Sequence, residues 1–178
     1  MIVPALIAAA APVGPPQEHL NKPKLAGFVV VSEEDSGGRT IRKMVPKGET
    51  GEVWSRMVAD VQLAEPPKSD LARAEQLSDI VDQHTRNATK GCPDPQVGPI
   101  YSYPLLGDEI AKFRIICEKP NGIDKPAVTY NIFILSQRYL HQRVVAFSHM
   151  PSAQESRWAG SIIDSTRLCA PSSKAVGC

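Results

Sequence analysis

The first seventeen residues, MIVPALIAAAAPVGPPQ, carry no charged side chain. Nowhere does the chain hold the run of roughly 20 apolar residues that a membrane-crossing helix needs, so no membrane span is expected. Four cysteines and four histidines are all it has for thiol or imidazole chemistry. No C-x-x-C pair occurs and no histidine stands at ligand spacing from a cysteine, which leaves no metal site in the sequence. A G-x-S-x-G elbow is missing, and with it the usual serine-hydrolase signature. The one glycine cluster, Ser36-Gly37-Gly38-Arg39, falls between two predicted strands instead of opening a helix, so it reads as a hairpin turn and not a phosphate loop. With 20 basic and 19 acidic residues the formal charge is +1, which provides no field to gather nucleic acid, and none is expected as a partner. There is no internal repeat and no coiled-coil heptad.

What is present begins with the leader. The apolar stretch from Ile2 to Ala11 has the length of a secretory h-region, about 7 to 15 residues, and ends in small residues of the kind cut by signal peptidase. Residues 1–11 therefore read as a signal-like leader, 12–24 as a linker and 25–178 as a single α+β domain. The alternative is a disordered Ala/Pro-rich N-terminus on an intracellular protein, since Pro4, Pro12, Pro15 and Pro16 prevent a stable helix. Export places the protein in the periplasm or the medium, where its cysteines can oxidise. Four cysteines allow three pairings. Chain order favours Cys169 with Cys178, closing a small loop in the tail, and Cys92 with Cys117, each contributing roughly 2.5 to 3.5 kcal/mol in the chain-entropy account.

Along the domain, Phe28 to Ser32 and Thr40 to Val45 read as a hairpin and Trp54 to Leu63 as a third strand, its imperfect alternation suggesting a bulge or a partly helical start. After Pro66 and Pro67, Ser69 or Asp70 caps a helix carrying Leu71, Ala74, Leu77, Ile80, Val81 and His84 on one stripe, with His84 near the end, placed to ease the C-terminal dipole. Ile100 to Leu106 and Ala111 to Lys119 flank a Gly107-Asp108 turn. In the second of these, Phe113, Ile115 and Cys117 share one face, and Lys112, Arg114 and Glu118 the other. Val128 to Leu135 and Leu140 to Ser148 are two more strands. Ser152 and Glu155 form a capping box, and the helix it starts presents Trp158, Ala159, Ile162, Ile163 and Thr166 on one side. The fold expected is an antiparallel sheet packed with two helices.

The run from Gly48 to Met57, Gly-Glu-Thr-Gly-Glu-Val-Trp-Ser-Arg-Met, looks like the loop-to-strand segment G-E-T-x-x-x-W-x-x-M of small uncharacterised exported proteins of alphaproteobacteria. Together with the order of three strands, a helix, four strands and a terminal helix, the chain resembles the PsbP-like superfamily over most of residues 25–178. That resemblance implies an α-β-α sandwich, an exported or lumenal location and an accessory or binding role, and it specifies no catalytic residue.

His141 and His149 have the same strand parity as Arg143, so the three can share a face. They, with Trp54 of the Gly48–Met57 motif, are the candidate binding residues. No cofactor and no metal is expected. The chain reads as an exported soluble binding or accessory protein of unknown ligand and unknown partner, an envelope protein being the candidate, with no catalysis expected. Two alternatives stand beside it: a small periplasmic hydrolase built on His141 and His149, and a structural envelope component exposing a sheet edge.

Overall fold

The computed structural model describes residues 18–21, 23, 25–64, 72–118 and 126–169. In chain order these form β1 (His19–Leu20), β2 (Phe28–Ser36), β3 (Arg39–Pro46), β4 (Arg56–Ala64), α1 (Arg73–Ala88), β5 (Pro95–Val97), β6 (Tyr101–Leu105), β7 (Asp108–Cys117), β8 (Val128–Leu135), β9 (Tyr139–Phe147), α2 (Ala153–Asp164) and β10 (Leu168–Cys169). Eight of the strands make one antiparallel sheet in the order β2-β3-β4-β9-β8-β7-β5, with β6 pairing the rest of β7 beyond β5. The remaining two, β1 and β10, pair antiparallel as a separate ribbon. Among the described residues no helix is long and apolar enough to cross a membrane.

The helices lie on opposite faces of the sheet. On one face Leu77 and Val81 of α1 pack against Ala111, Phe113, Ile115, Phe133, Leu135 and Leu140. On the other, Ala159, Ile162 and Ile163 of α2 pack against Met44, Val58, Ile110, Ile132, Ile134, Val145 and Phe147. Central strands covered on both sides explain why β8 reads as a continuous apolar run and not as an alternation. Trp158 stacks on Phe28 at 5.7 Å and meets Phe147 edge-on at 6.1 Å, while the Arg56 guanidinium lies 5.3 Å from the Trp158 ring. Its indole is thereby spent on packing.

Several expectations shift. The strand predicted from Trp54 starts at Arg56 and holds unbroken register with both neighbours. Its poor alternation reflects burial on two faces, Val58 under α2 and Leu63 against the α1 core. The irregularity expected there lies instead in β2, between Val30 and Ser32. Helix α1 begins at Arg73 behind Ala72, which supplies no side-chain cap, and Ser69, Asp70 and Leu71 lie outside the described residues. In place of a cap, the Arg73 guanidinium reaches the Gly107 carbonyl at 2.7 Å and also the Leu135 carbonyl, pinning the first turn to the sheet. His84 is not a counter-charge at the helix end, because α1 continues to Ala88 and the ring is wedged 5.1 Å from Phe133. Burial there lowers its pKa, with a hydrogen bond from the ring to the Asn131 side chain opposing. By contrast α2 starts as expected, with the Ser152 hydroxyl accepting from the Glu155 amide at 3.2 Å and the Glu155 carboxylate accepting from the Ser152 amide at 2.9 Å. The bonds that the Ser152 amide and hydroxyl donate to it hold the Glu155 carboxyl below its usual range.

Cys92 and Cys117 form a disulfide across a Cα separation of 5.7 Å, joining the loop after α1 to the end of β7. Cys169 is disulfide-bonded as well, and its expected partner Cys178 lies outside the described residues. His19 and Leu20, placed within a linker by their polar and proline-bearing surroundings, are strand residues paired with Cys169 and Leu168. The signal-like leader and most of that linker also lie outside the described residues.

Candidate functional site

Antiparallel register lines up one row of side chains across four strands. Glu33 of β2 stands opposite Arg42 of β3, Arg42 opposite Asp60 of β4, and Asp60 opposite Arg143 of β9. Residues directly opposite share a face, so this row of alternating charge lies on the same side as Val145, Phe147 and α2. The next row holds Thr40, Gln62 and His141. Neither row is covered by α2. The β1/β10 ribbon lies over them instead, and between ribbon and sheet is a cavity of about 180 Å3 lined by His19, Leu20, Pro23, Glu33, Thr40, Arg42, Asp60, Val61, Gln62 and His141.

Arg143 is fully buried and fully occupied. Nε and Nη2 grip the Asp60 carboxylate at 2.6 and 2.9 Å, Nη1 donates to Asn21 Oδ1 at 3.3 Å and Thr166 Oγ1 at 3.1 Å, and Nη2 donates to the Asn21 carbonyl at 2.7 Å. A guanidinium has five N–H donors, and these bonds use every one. Asn21 in turn donates from its amide to the Arg167 carbonyl at 3.0 Å and from Nδ2 to the Ser165 carbonyl at 2.9 Å. Arg143 thus clasps the ribbon to the sheet and neutralises Asp60. No donor of it remains for a ligand.

Arg42, two strands away in the same row, is its opposite. Its side chain forms no ion pair or hydrogen bond among the described residues, and its Nε is buried without an acceptor. His141 is 1 % exposed, its Nε2 equally lacks a partner, and burial, with His19 nearby, lowers its pKa to about 4. At neutral pH the ring is therefore uncharged. Buried polar atoms are nearly always hydrogen-bonded, so two unsatisfied nitrogens on residues that line one cavity call for an explanation. A bound molecule that completes them is the simplest.

The other candidates are elsewhere. His149 lies past the end of β9, half-exposed, with Nε2 3.4 Å from Glu155 Oε1 and its ring edge-on to Phe147. At about 3.3 Å per strand residue, eight positions separate the two histidines by roughly 26 Å, so shared parity does not bring them together. Trp54 is half-buried in the turn before β4. That turn is built by its neighbours: Gly48 takes a left-handed φ of 95°, the Glu49 carboxylate accepts from the Ser55 amide at 2.8 Å, and Thr50 Oγ1 accepts from the Val53 amide at 3.0 Å. The Gly-Glu-Thr triplet is a turn device. Three larger cavities of about 310, 320 and 470 Å3 lie against α2, beside the Cys92–Cys117 bridge and around Trp158, and none of them is lined by an orphaned nitrogen of the kind seen at His141 and Arg42.

Sequence reasoning missed Arg42, Thr40, Gln62, Glu33 and His19. The signal that could have found them is the Gly37–Gly38 turn, which sets the β2–β3 register and places Glu33 against Arg42. Among the described residues no cluster of three or more His, Cys, Asp or Glu side chains could hold a metal. No family model, curated protein or solved structure matches the chain.

Proposed function

We propose that this is an exported binding or accessory protein, of the PsbP-like kind, whose ligand occupies the cavity between the β1/β10 ribbon and the sheet. One observation carries the reading: His141 and Arg42 both line that cavity, and His141 Nε2 and Arg42 Nε are buried with no partner. An imidazole with its pKa lowered to about 4 is a weak base at neutral pH, which favours holding a ligand over transforming it. Export is supported by the uncharged apolar N-terminal stretch and by the Cys92–Cys117 bridge, since disulfides persist in oxidising compartments. A periplasmic or secreted location follows.

Native mass spectrometry of the full chain purified from its exported fraction tests the reading. A small molecule released on denaturation, and lost on His141→Phe with the fold intact, is the expected result. Turnover of generic ester, phosphate or peptide substrates that His141→Phe abolishes without unfolding the chain would overturn it.

A further inference from the structure

Resting on that reading of the cavity, we propose that its ligand is a short aliphatic carboxylate, with the carboxylate on Arg42 and the alkyl chain against Leu20 and Pro23. Charge is the first argument. Asp60 is compensated by two bonds from Arg143 at 2.6 and 2.9 Å, so the cavity's uncompensated cation is Arg42, whose planar donor fork fits a carboxylate in two parallel bonds. Glu33, its cross-strand neighbour, is solvent-exposed and forms no ion pair with it among the described residues. Donor chemistry is the second argument. The neutral His141 ring in the tautomer bearing its proton on Nε2 offers one N–H, and the Gln62 amide and Thr40 hydroxyl line the same wall. A carboxylate, which only accepts, satisfies the donors of Arg42, His141, Gln62 and Thr40 better than an amide or an amine.

Size is the third argument. A volume of about 180 Å3 is below the range of drug-sized pockets. So small a volume suits a short carboxylate such as propionate over a long-chain one. The apolar side chains give the alkyl part its place.

The test is a titration of the 15N-labelled full chain with propionate, propionamide, alanine and inorganic phosphate, each to about 20 mM, where even weak millimolar binding registers. Propionate is expected to move the amides of Thr40, Arg42, Gln62 and His141 in a saturable way, at least about tenfold more tightly than propionamide. Arg42→Gln should abolish the response and Arg42→Lys should recover part of it, both with an unchanged unfolding midpoint, because Arg42 makes no bond that the fold uses. Propionamide binding as tightly as propionate, or unaltered propionate binding by Arg42→Gln, overturns the carboxylate and leaves the cavity a binding site. Tighter binding of alanine or phosphate overturns it in favour of a zwitterion or an inorganic anion. Silence of these amides toward all four probes overturns the carboxylate inference, and a small molecule still recovered by native mass spectrometry would then keep the cavity reading intact.

Discussion

Strand β9 passes beneath two different roofs on one face of the sheet. Toward its C-terminal end Val145 and Phe147 lie fully buried under α2, in a cluster made only of apolar side chains. Toward its N-terminal end His141 and Arg143 are just as buried, under the β1/β10 ribbon. The difference lies in what holds each roof. Helix α2 is held by non-directional burial worth roughly 1.5 to 3 kcal/mol for each large side chain. The ribbon is two residues to a strand and adds only Leu20 and Leu168 to the edge of the apolar core. It is held besides by directional bonds through Asn21 and Arg143. Those bonds stand beside the cavity between ribbon and sheet.

The largest effect that would break this comparison is loss of the clasp. Arg143→Ala leaves the partly buried Asp60 carboxylate unpaired and the Asn21 carbonyl without its donor, and should cost about 3 kcal/mol in urea unfolding, a size shared with Phe147→Ala in the apolar half. The two halves separate on repair. Replacing both members of the pair, Arg143→Met with Asp60→Leu, should recover much of that loss, because an apolar pair avoids the desolvation that the ion pair bears. A double variant as unstable as Arg143→Ala alone would show that the bonds to Asn21 and Thr166 matter more than the ion pair.

Next in size is the pH response of the polar half. The His141 pKa falls from its ordinary 6.5 to about 4 on folding, so between those values the unfolded chain takes up a proton that the folded chain refuses. Stability from this group is complete above pH 6.5 and is lost as pH falls toward about 4, by roughly 3 kcal/mol in all. His84, whose pKa burial also lowers, acts in the same direction. The difference in unfolding free energy between the wild type and His141→Phe should therefore slope across that window and be flat above it. A slope of opposite sign would mean that His141 gains a proton on folding.

The smallest effect belongs to the apolar half. Ser152→Ala removes one side of the α2 capping box and should cost about 1 kcal/mol, with propionate binding at the ribbon cavity unchanged. A shift in that affinity would mean that the two roofs are coupled.

What could be read from the sequence follows the range over which each feature is determined. The capping box and the stripe of α2 are local, and both stand where their spacing puts them. Alternation in β7 placed Phe113, Ile115 and Cys117 together, which is the face they occupy with α1 and the disulfide. Strands of two or three residues, β1, β5 and β10, have no period to read, and β1 exists only because a partner far along the chain meets it at Cys169. The candidate site failed in the same way. Parity put His141, Arg143 and His149 on one face, yet parity is silent on distance along a strand and on how many donors a guanidinium has already used. Arg42 is the residue left unpaired because Arg143 takes Asp60, a choice made across strands that only the folded register displays.

The most direct test of the central claim is the ionisation of His141 itself, followed by long-range 1H–15N correlation of its imidazole with and without propionate. The account predicts a ring that stays neutral until pH approaches about 4 and whose apparent pKa rises when the carboxylate binds, since a nearby anion favours the imidazolium. A ring that titrates near its ordinary 6.5 and ignores propionate would contradict it.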